Sequence, residues 1–210
     1  MAYRTKICGI TNVEDALAAV AAGANALGFL LYRRSPRYVD PMKVQQIVAQ
    51  LPPFVLPVGV FVNEEIKIVR DLMDTCGLAL AQLHGEETAA YCRELGRPVL
   101  KALRLRDRST FLALAEFQGR AGVRGFVLDA FSDEAYGGTG QAVDWSLAKE
   151  VAQAATVVLA GGLTAENVGQ ALRAVQPYGV DVSSGVEVAP GKKDHEKVRA
   201  FLRAVRSVSS

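Results

Sequence analysis

Cysteine, histidine and tryptophan are scarce in this sequence of 210 residues, which has three, two and one of them, respectively. The cysteines are Cys8, Cys76 and Cys92, an odd number with no C-x-x-C pair among them. A disulfide framework needs paired cysteines, and a structural zinc site needs clustered cysteine and histidine ligands. We therefore expect neither, and we expect a reducing compartment.

Long apolar runs and a strong charge of one sign are also missing. No run approaches the ~20 apolar residues of a membrane-spanning helix, and the opening MAYRTKICGI lacks the apolar core of a signal peptide. The formal net charge of only +2 argues against the basic surface of a nucleic-acid binder. We expect a soluble cytoplasmic protein with no membrane or nucleic-acid partner, and a small anionic ligand would suit its mild positive charge.

Short apolar runs of β type alternate with amphipathic helical stretches along the whole chain. The strand candidates are residues 5–9, 24–32, 54–62, 78–85, 98–105, 125–131, 156–162 and 179–185. Strands without polar alternation that are separated by helices indicate a parallel sheet covered on both faces. The sequence therefore predicts an α/β fold with a single domain over residues 1–210, a closed (β/α)8 TIM barrel. A doubly wound open sheet is the structural alternative.

Four glycines suggest a repeat of two βα units. Gly23, Gly77, Gly122 and Gly179 each stand between a helical stretch and the start of an even-numbered strand. Glycine suits that place because it adopts the left-handed conformation that ends many helices. We therefore expect each of these glycines to end a helix and lead directly into a strand, although chance is the alternative.

Lys6 and Cys8 lie two residues apart on the first strand candidate. Side chains at that spacing share a face, so both should point into the barrel, ~6–7 Å apart along the strand. A buried lysine needs a partner, which Asp181 or Asp129 could supply. Because a nearby cation favours the thiolate, we expect Cys8 to be more ionised than a free thiol. The alternative is that Cys8 is a small buried apolar residue.

Asp129 ends the otherwise apolar strand GFVLDAF. An apolar setting helps a carboxyl group to keep its proton, and such a group can act as a general acid. The alternatives are an ion pair with Lys6 and a loop cap. The strand position alone does not decide among these three roles.

Small residues follow strands seven and eight, where many barrels bind phosphate. They are Gly161 and Gly162 in the first loop, and Ser183, Ser184 and Gly185 in the second. Backbone N–H groups in such loops can hold a phosphate. Ser184 and Glu187 also have the spacing of a helix capping box.

Three further positions fall at or just beyond strand ends. Arg37, after strand two, has the planar fork that binds a carboxylate or phosphate. His84 shares an inward face with Gln82 and is either an acid, base or ligand contact or a structural histidine. Gly138, in the glycine-rich segment 136–140, belongs either to a lid or to a long connection. With Lys6 and Asp181, His84 and Gly138 complete the predicted pocket.

Together, these segments resemble one family, the phosphoribosylanthranilate isomerases of tryptophan biosynthesis. The resemblance covers nearly the whole chain and is weakest over residues 105–120. Its markers are KICGIT at 6–11, S-x-R-Y at 35–38, GVFVN at 59–63, QLHG at 82–85, LD at 128–129, GGTG at 137–140, AGGL at 160–163, DVSSGVE at 181–187 and PGKKD at 190–194.

The resemblance implies an Amadori rearrangement of N-(5-phosphoribosyl)anthranilate to 1-(2-carboxyphenylamino)-1-deoxyribulose 5-phosphate, without a cofactor or metal. It assigns the general base to Cys8 and the general acid to Asp129, and it places Arg37 near the anthranilate carboxylate. The phosphate falls to the loops at Gly161–Gly162 and Ser183–Gly185. The only partner implied is the small phosphosugar substrate, and the chain would be a monomer or a homodimer.

Two alternatives remain, of which the second belongs to a different functional class. One is a related phosphate-binding barrel, such as indole-glycerol-phosphate synthase or a sugar isomerase of histidine biosynthesis, although these are not expected to share KICGIT. The other is a non-catalytic barrel that binds a phosphosugar as a sensor or scaffold. The presence of both Cys8 and Asp129 argues against the second.

Overall fold

Parallel strands alternate with helices in the computed structural model, which describes residues 3–105, 107–119, 122–130 and 145–208. The strands of the main sheet are β1 (Arg4–Cys8), β2 (Ala26–Leu30), β3 (Leu56–Phe61), β4 (Leu80–Leu83), β5 (Val99–Leu105), β6 (Val123–Ala130), β7 (Val157–Leu159) and β8 (Gly179–Val182). The helices are α1 (Val13–Ala22), α2 (Pro41–Val48), α3 (Ile66–Cys76), α4 (Ala89–Leu95), α5 (Ser109–Phe117), α6 (Trp145–Ala154), α7 (Val168–Val175) and α8 (His195–Val208). Within these ranges, no helix combines the length and the apolar character that a bilayer crossing requires.

The main sheet closes on itself. Its strands follow chain order from β1 to β8, and β8 pairs in parallel with β1. A 3-10 turn (Ser184–Val186) and a small antiparallel hairpin of β9 (Glu187–Ala189) and β10 (Lys192–Lys193) separate β8 from α8. The closed (β/α)8 barrel predicted from the sequence is therefore confirmed, and the open-sheet alternative is wrong.

The barrel has two apolar cores because successive side chains of a strand point to opposite faces. The larger core lies between sheet and helices. The inner core consists of Val58, Leu80, Leu100, Val127 and Ala160. Gln82 and Asp129 follow Leu80 and Val127 by two residues, so they face the same interior one layer nearer the C-terminal mouth. The strand periodicity therefore delivers polar side chains to the place where barrels carry out chemistry.

The expected glycine repeat is only partly present. Gly23 and Gly77 do end α1 and α3 with φ of 101° and 66°. Gly122 also has a positive φ of 93°, but α5 ends earlier, at Phe117. Gly96 ends α4 before an odd-numbered strand. The regular spacing over even strands is therefore not a structural repeat.

Gly179 does not end a helix, so its predicted role is wrong. The left-handed residue after α7 is Gln176, with φ 54°, and Gly179 is the first residue of β8. A Cβ at Gly179 would lie 2.5 Å from the carbonyl oxygen of Arg4 in β1. Glycine is needed here because it lets the two strands that close the barrel approach each other.

We expect Gly179→Ala to lower the free energy of unfolding by ~1–3 kcal/mol, because the added methyl group must push β1 and β8 apart. Gly119→Ala is the control, since Gly119 has φ 72° but no atom within 4 Å of its would-be Cβ. Gly119→Ala should lower the free energy of unfolding by ~1 kcal/mol, because only the positive φ of the backbone opposes the alanine side chain. Urea unfolding of both variants measures the difference. A Gly179→Ala variant as stable as the wild type would contradict the steric argument.

Candidate active site

A cavity of about 460 Å³ opens at the C-terminal mouth of the barrel. It gathers most of the residues predicted as a site. Its lining includes Cys8, Arg37, His84, Asp129, Gly161, Gly162, Asp181, Ser183, Ser184 and Gly185. Lys6 contacts the lining residues Asp181 and Cys8, and Gly138 lies outside the described residues.

Lys6 is buried one layer below Cys8 and is paired with Asp181. Its Nζ lies 2.6 Å from Oδ2 of Asp181, which occupies the matching position on β8. A Cβ on Gly28 would lie 2.7 Å from Sγ of Cys8 and 3.1 Å from Nζ of Lys6. The missing side chain of Gly28 therefore provides the space that the thiol and the ammonium group share. Of the two partners expected for Lys6, the structure selects Asp181.

The pKa of the Cys8 thiol lies above its usual value. Burial is the largest cause, because a thiolate is poorly solvated inside the barrel. The positive charge of Lys6 lowers the pKa, and the carboxylate of Asp181 raises it. The prediction that Cys8 is more ionised than a free thiol is therefore wrong. The expected direction of the Lys6 effect is confirmed.

His84 connects the amide of Gln82 to the carboxylate of Asp129. Nε2 of Gln82 lies 3.0 Å from Nδ1 of His84, and Nε2 of His84 lies 3.2 Å from Oδ2 of Asp129. The two ring nitrogens of His84 therefore each face one of these side chains. His84 thereby helps to orient Asp129, both if it is an acid, base or ligand contact and if it is a structural histidine.

The two glycine-containing loops lie against each other beside the cavity. A Cβ on Gly185 would collide with the carbonyl oxygen of Leu163, so glycine permits this contact. Gly161 and Gly162 have φ of 87° and 64°. Within the described ranges, no group accepts a hydrogen bond from the backbone N–H groups of Gly161, Gly162, Ser184 or Gly185. Such groups are suited to holding an anion.

Three buried side-chain oxygens around the cavity have no hydrogen-bond partner among the described residues. They are Oε1 of Gln82, Oδ1 of Asp181 and Oγ of Ser183. Buried polar atoms in native proteins are nearly always paired, so unpaired ones need an explanation. Because all three oxygens lie beside one cavity, they indicate that a polar ligand or water in the cavity forms their missing hydrogen bonds.

Arg37 lies at the cavity wall, but part of its guanidinium is already bound. Nε and Nη2 of Arg37 donate to the carboxylate of Glu187 at 2.8–3.1 Å. Glu187 also accepts from Nζ of Lys193 at 2.8 Å. The capping-box interpretation of Glu187 is therefore wrong, because its carboxylate binds these two cations instead.

Sequence reasoning missed Glu187 and Lys193 as parts of the site. Lys193 stands in the PGKKD segment, one of the family markers. Its ammonium group is fully buried and also donates to the carbonyl oxygen of Cys8. Glu187 stands between two valines, which is a local sign of a buried charge, whereas the segment around Lys193 is polar and gives no such sign. The contact with Arg37 lies too far away in sequence to be identified.

We expect Lys6→Met to raise the pKa of Cys8 further, because a cation that stabilises the thiolate is lost. Asp181→Asn should lower it, because an anion that opposes the thiolate is lost. The pH dependence of Cys8 alkylation, followed by mass spectrometry, measures both. Lys192→Met, at an exposed neighbour of Lys193, is the control and should leave the profile unchanged. Shifts of the same sign in the first two variants would refute this electrostatic account.

The sequence and the fold match known proteins over nearly their whole length. A relative from Pelobacter propionicus, an N-(5'-phosphoribosyl)anthranilate isomerase, is 50% identical over 207 residues, 99% of this chain and 97% of its own length. The crystal structure of phosphoribosyl anthranilate isomerase from Thermotoga maritima has a TM-score of 0.91 and 42% identity, covering 98% of this chain and 99% of its own.

A further crystal structure contains a bound ligand. It is a phosphoribosyl anthranilate isomerase in complex with reduced 1-(o-carboxyphenylamino)-1-deoxyribulose 5-phosphate. It has a TM-score of 0.87 and 40% identity, covering 98% of this chain and 99% of its own. The family model described as N-(5'phosphoribosyl)anthranilate (PRA) isomerase matches residues 5–204. The chain therefore belongs to the N-(5'-phosphoribosyl)anthranilate isomerase family.

Proposed function

We propose that this chain is a phosphoribosylanthranilate isomerase, an intramolecular oxidoreductase of tryptophan biosynthesis. It converts N-(5-phosphoribosyl)anthranilate to 1-(2-carboxyphenylamino)-1-deoxyribulose 5-phosphate. The observation that carries the proposal is that Cys8 and Asp129 line one cavity from β1 and β6, which are three strands apart around the barrel. A sugar held between them has a thiol on one side and a carboxyl group on the other.

The substrate is bound at its two charged ends. The backbone N–H groups at Gly161–Gly162 and Ser183–Gly185 hold the phosphate on the β7 and β8 side of the cavity. Arg37, in the loop after β2, binds the anthranilate carboxylate. This arrangement places the ribose between the two ends, in front of Cys8 and Asp129.

The rearrangement needs one acid and one base. Asp129 protonates the ribose ring oxygen, and the C1–O bond breaks to leave an iminium ion. Cys8, as the thiolate, removes the proton from C2, and the electron pair of that bond forms the enol amine. Tautomerisation gives the ketone at C2 and the amine at C1. C2 is oxidised and C1 reduced within one molecule, so electrons balance without an external oxidant or a cofactor.

The proposal includes the wider setting of this chemistry. Residues 1–210 act as one catalytic domain, in keeping with a barrel whose first and last strands pair with each other. The chain works in the cytoplasm as a monomer or a homodimer, with the phosphosugar as its partner. The free state of all three cysteines suits a reducing compartment.

The first test is to add the purified chain to freshly made phosphoribosylanthranilate, without metal or nucleotide, and to identify the product. We expect the carboxyphenylamino-deoxyribulose phosphate to form faster than the substrate decays. Circular dichroism shows whether the chain is folded. A folded chain that yields only anthranilate from spontaneous hydrolysis would rule out the isomerase.

We expect Cys8→Ala and Asp129→Asn each to lower kcat by ~10²–10⁴-fold, the usual contribution of one acid or base. The affinity for the reduced product analogue should stay nearly unchanged, since neither group binds the charged ends. Cys76→Ala on α3 and the exposed Asp71→Asn are the matched controls and should retain activity. Steady-state kinetics with calorimetric binding separates the two effects. If turnover persists in either site variant, the assigned role of that residue is wrong.

A further inference from the structure

Glu187 is the junction of a buried charge cluster behind the cavity. Its Oε1 accepts from Nζ of Lys193 at 2.8 Å and from the backbone N–H of Gly191 at 3.2 Å. Its Oε2 accepts from Nη2 of Arg37 at 2.8 Å. The side chains of Glu187 and Lys193 are 5% and 0% exposed. Such a carboxylate is costly to bury, so its position is strongly fixed by these donors.

The way in which Glu187 binds Arg37 leaves one edge of the guanidinium available. A guanidinium offers a side edge, made of Nε and one terminal nitrogen, and an end edge, made of both terminal nitrogens. Glu187 occupies the side edge through Nε and Nη2. Within the described residues, nothing accepts a hydrogen bond from Nη1 of Arg37. Because Arg37 lines the cavity, its end edge can donate two parallel hydrogen bonds to a ligand carboxylate.

Lys193 fixes this arrangement to the barrel. Its ammonium group donates to the backbone carbonyl oxygen of Cys8 and, at 3.4 Å, to that of Ser183. These carbonyls lie at the C-terminal ends of β1 and β8. The path from the barrel backbone through Lys193 and Glu187 to Arg37 therefore consists of buried charge-assisted hydrogen bonds. Two cations and one anion also leave the cluster with one net positive charge.

We propose that Glu187 is a specificity-determining positioning residue, which holds Arg37 so that its end edge reads the carboxylate of the ligand. Lys193 holds Glu187 in place. The inference rests on the proposed function in taking that carboxylate to be the one on the aromatic ring of the substrate. A purely structural role for Glu187 would affect all ligands of the cavity alike, whereas a positioning role affects only carboxylated ones.

The test compares two ligands that differ by one carboxylate. The first is reduced 1-(o-carboxyphenylamino)-1-deoxyribulose 5-phosphate, and the second is the same compound without the ring carboxylate. Calorimetry gives both affinities for the wild type, for Glu187→Gln and for the control Glu196→Gln. Glu196 is exposed and pairs with Arg199 at the start of α8. Glu196→Gln makes the same chemical change as Glu187→Gln, but at a residue outside the buried cluster.

We expect Glu187→Gln to weaken binding of the carboxylated ligand by ~10–100-fold, the size of a lost charge-assisted contact. Binding of the second ligand should change by less than about threefold, which is within the ordinary effect of a neutral contact. The control should bind both ligands as the wild type does. Equal losses for the two ligands, or no loss for either, would overturn the positioning role.

Glu187→Gln leaves the ammonium of Lys193 buried without a carboxylate, which can prevent folding. The double variant Glu187→Gln/Lys193→Met removes both charges and keeps similar side-chain volumes. It should fold and show the same selective loss. If the double variant retains the wild-type preference for the carboxylated ligand, the inference is wrong. The product assay tests the proposed function separately. If the wild type turns over the substrate but the Glu187 variants show no selective loss, the proposed function stands and only the positioning role of Glu187 is wrong.

Discussion

The parallel pairing of β1 with β8 is the constraint on which the site depends. Its register sets Lys6 beside Asp181, and it brings the end of β1, with Cys8, next to the loop that begins at Ser183. The strands can come this close because Gly179 has no side chain facing β1. Residues from the two ends of the chain therefore meet in one small volume. The positions of the proposed base, its electrostatic neighbours and one proposed phosphate loop all follow from closing the barrel.

Buried lysine–carboxylate pairs lie behind both sides of the cavity. Besides the pairs at Asp181 and Glu187, Lys101 contacts Glu87 at 2.8 Å, and both side chains are nearly inaccessible. The ammonium of Lys101 also donates to the carbonyls of Leu83 and Gly85, the residues on either side of His84 in sequence. Buried ion pairs add little net stability because each ion loses several kcal/mol of hydration. Their effect here is to fix backbone positions next to the proposed acid and base.

The parts of the site that follow from strand periodicity could be predicted from the sequence. Lys6 and Cys8 share a face because they lie two apart, and Asp129 reaches the mouth because it ends an apolar strand. The contact between Arg37 and Glu187 joins residues 150 positions apart, and no local pattern encodes it. The ionisation of Cys8 was mispredicted for a similar reason. The sequence shows the nearby cation, but only the fold shows how deeply the thiol is buried.

The raised pKa of Cys8 sets the electrostatic problem that this cavity has to solve. Burial disfavours the thiolate, and a substrate with a phosphate and a carboxylate brings more negative charge toward it. Lys6 and Lys193 both favour the thiolate, but each is paired with a carboxylate that cancels part of its effect. Glu187 is shared between Lys193 and Arg37, so these three groups keep one net positive charge, and Arg37 lines the cavity. In the proposed complex, Arg37 neutralises the substrate carboxylate and so offsets one of the charges that oppose ionisation of Cys8. Under the proposed function, the contact that selects the substrate therefore also limits the negative charge that the bound substrate brings toward Cys8.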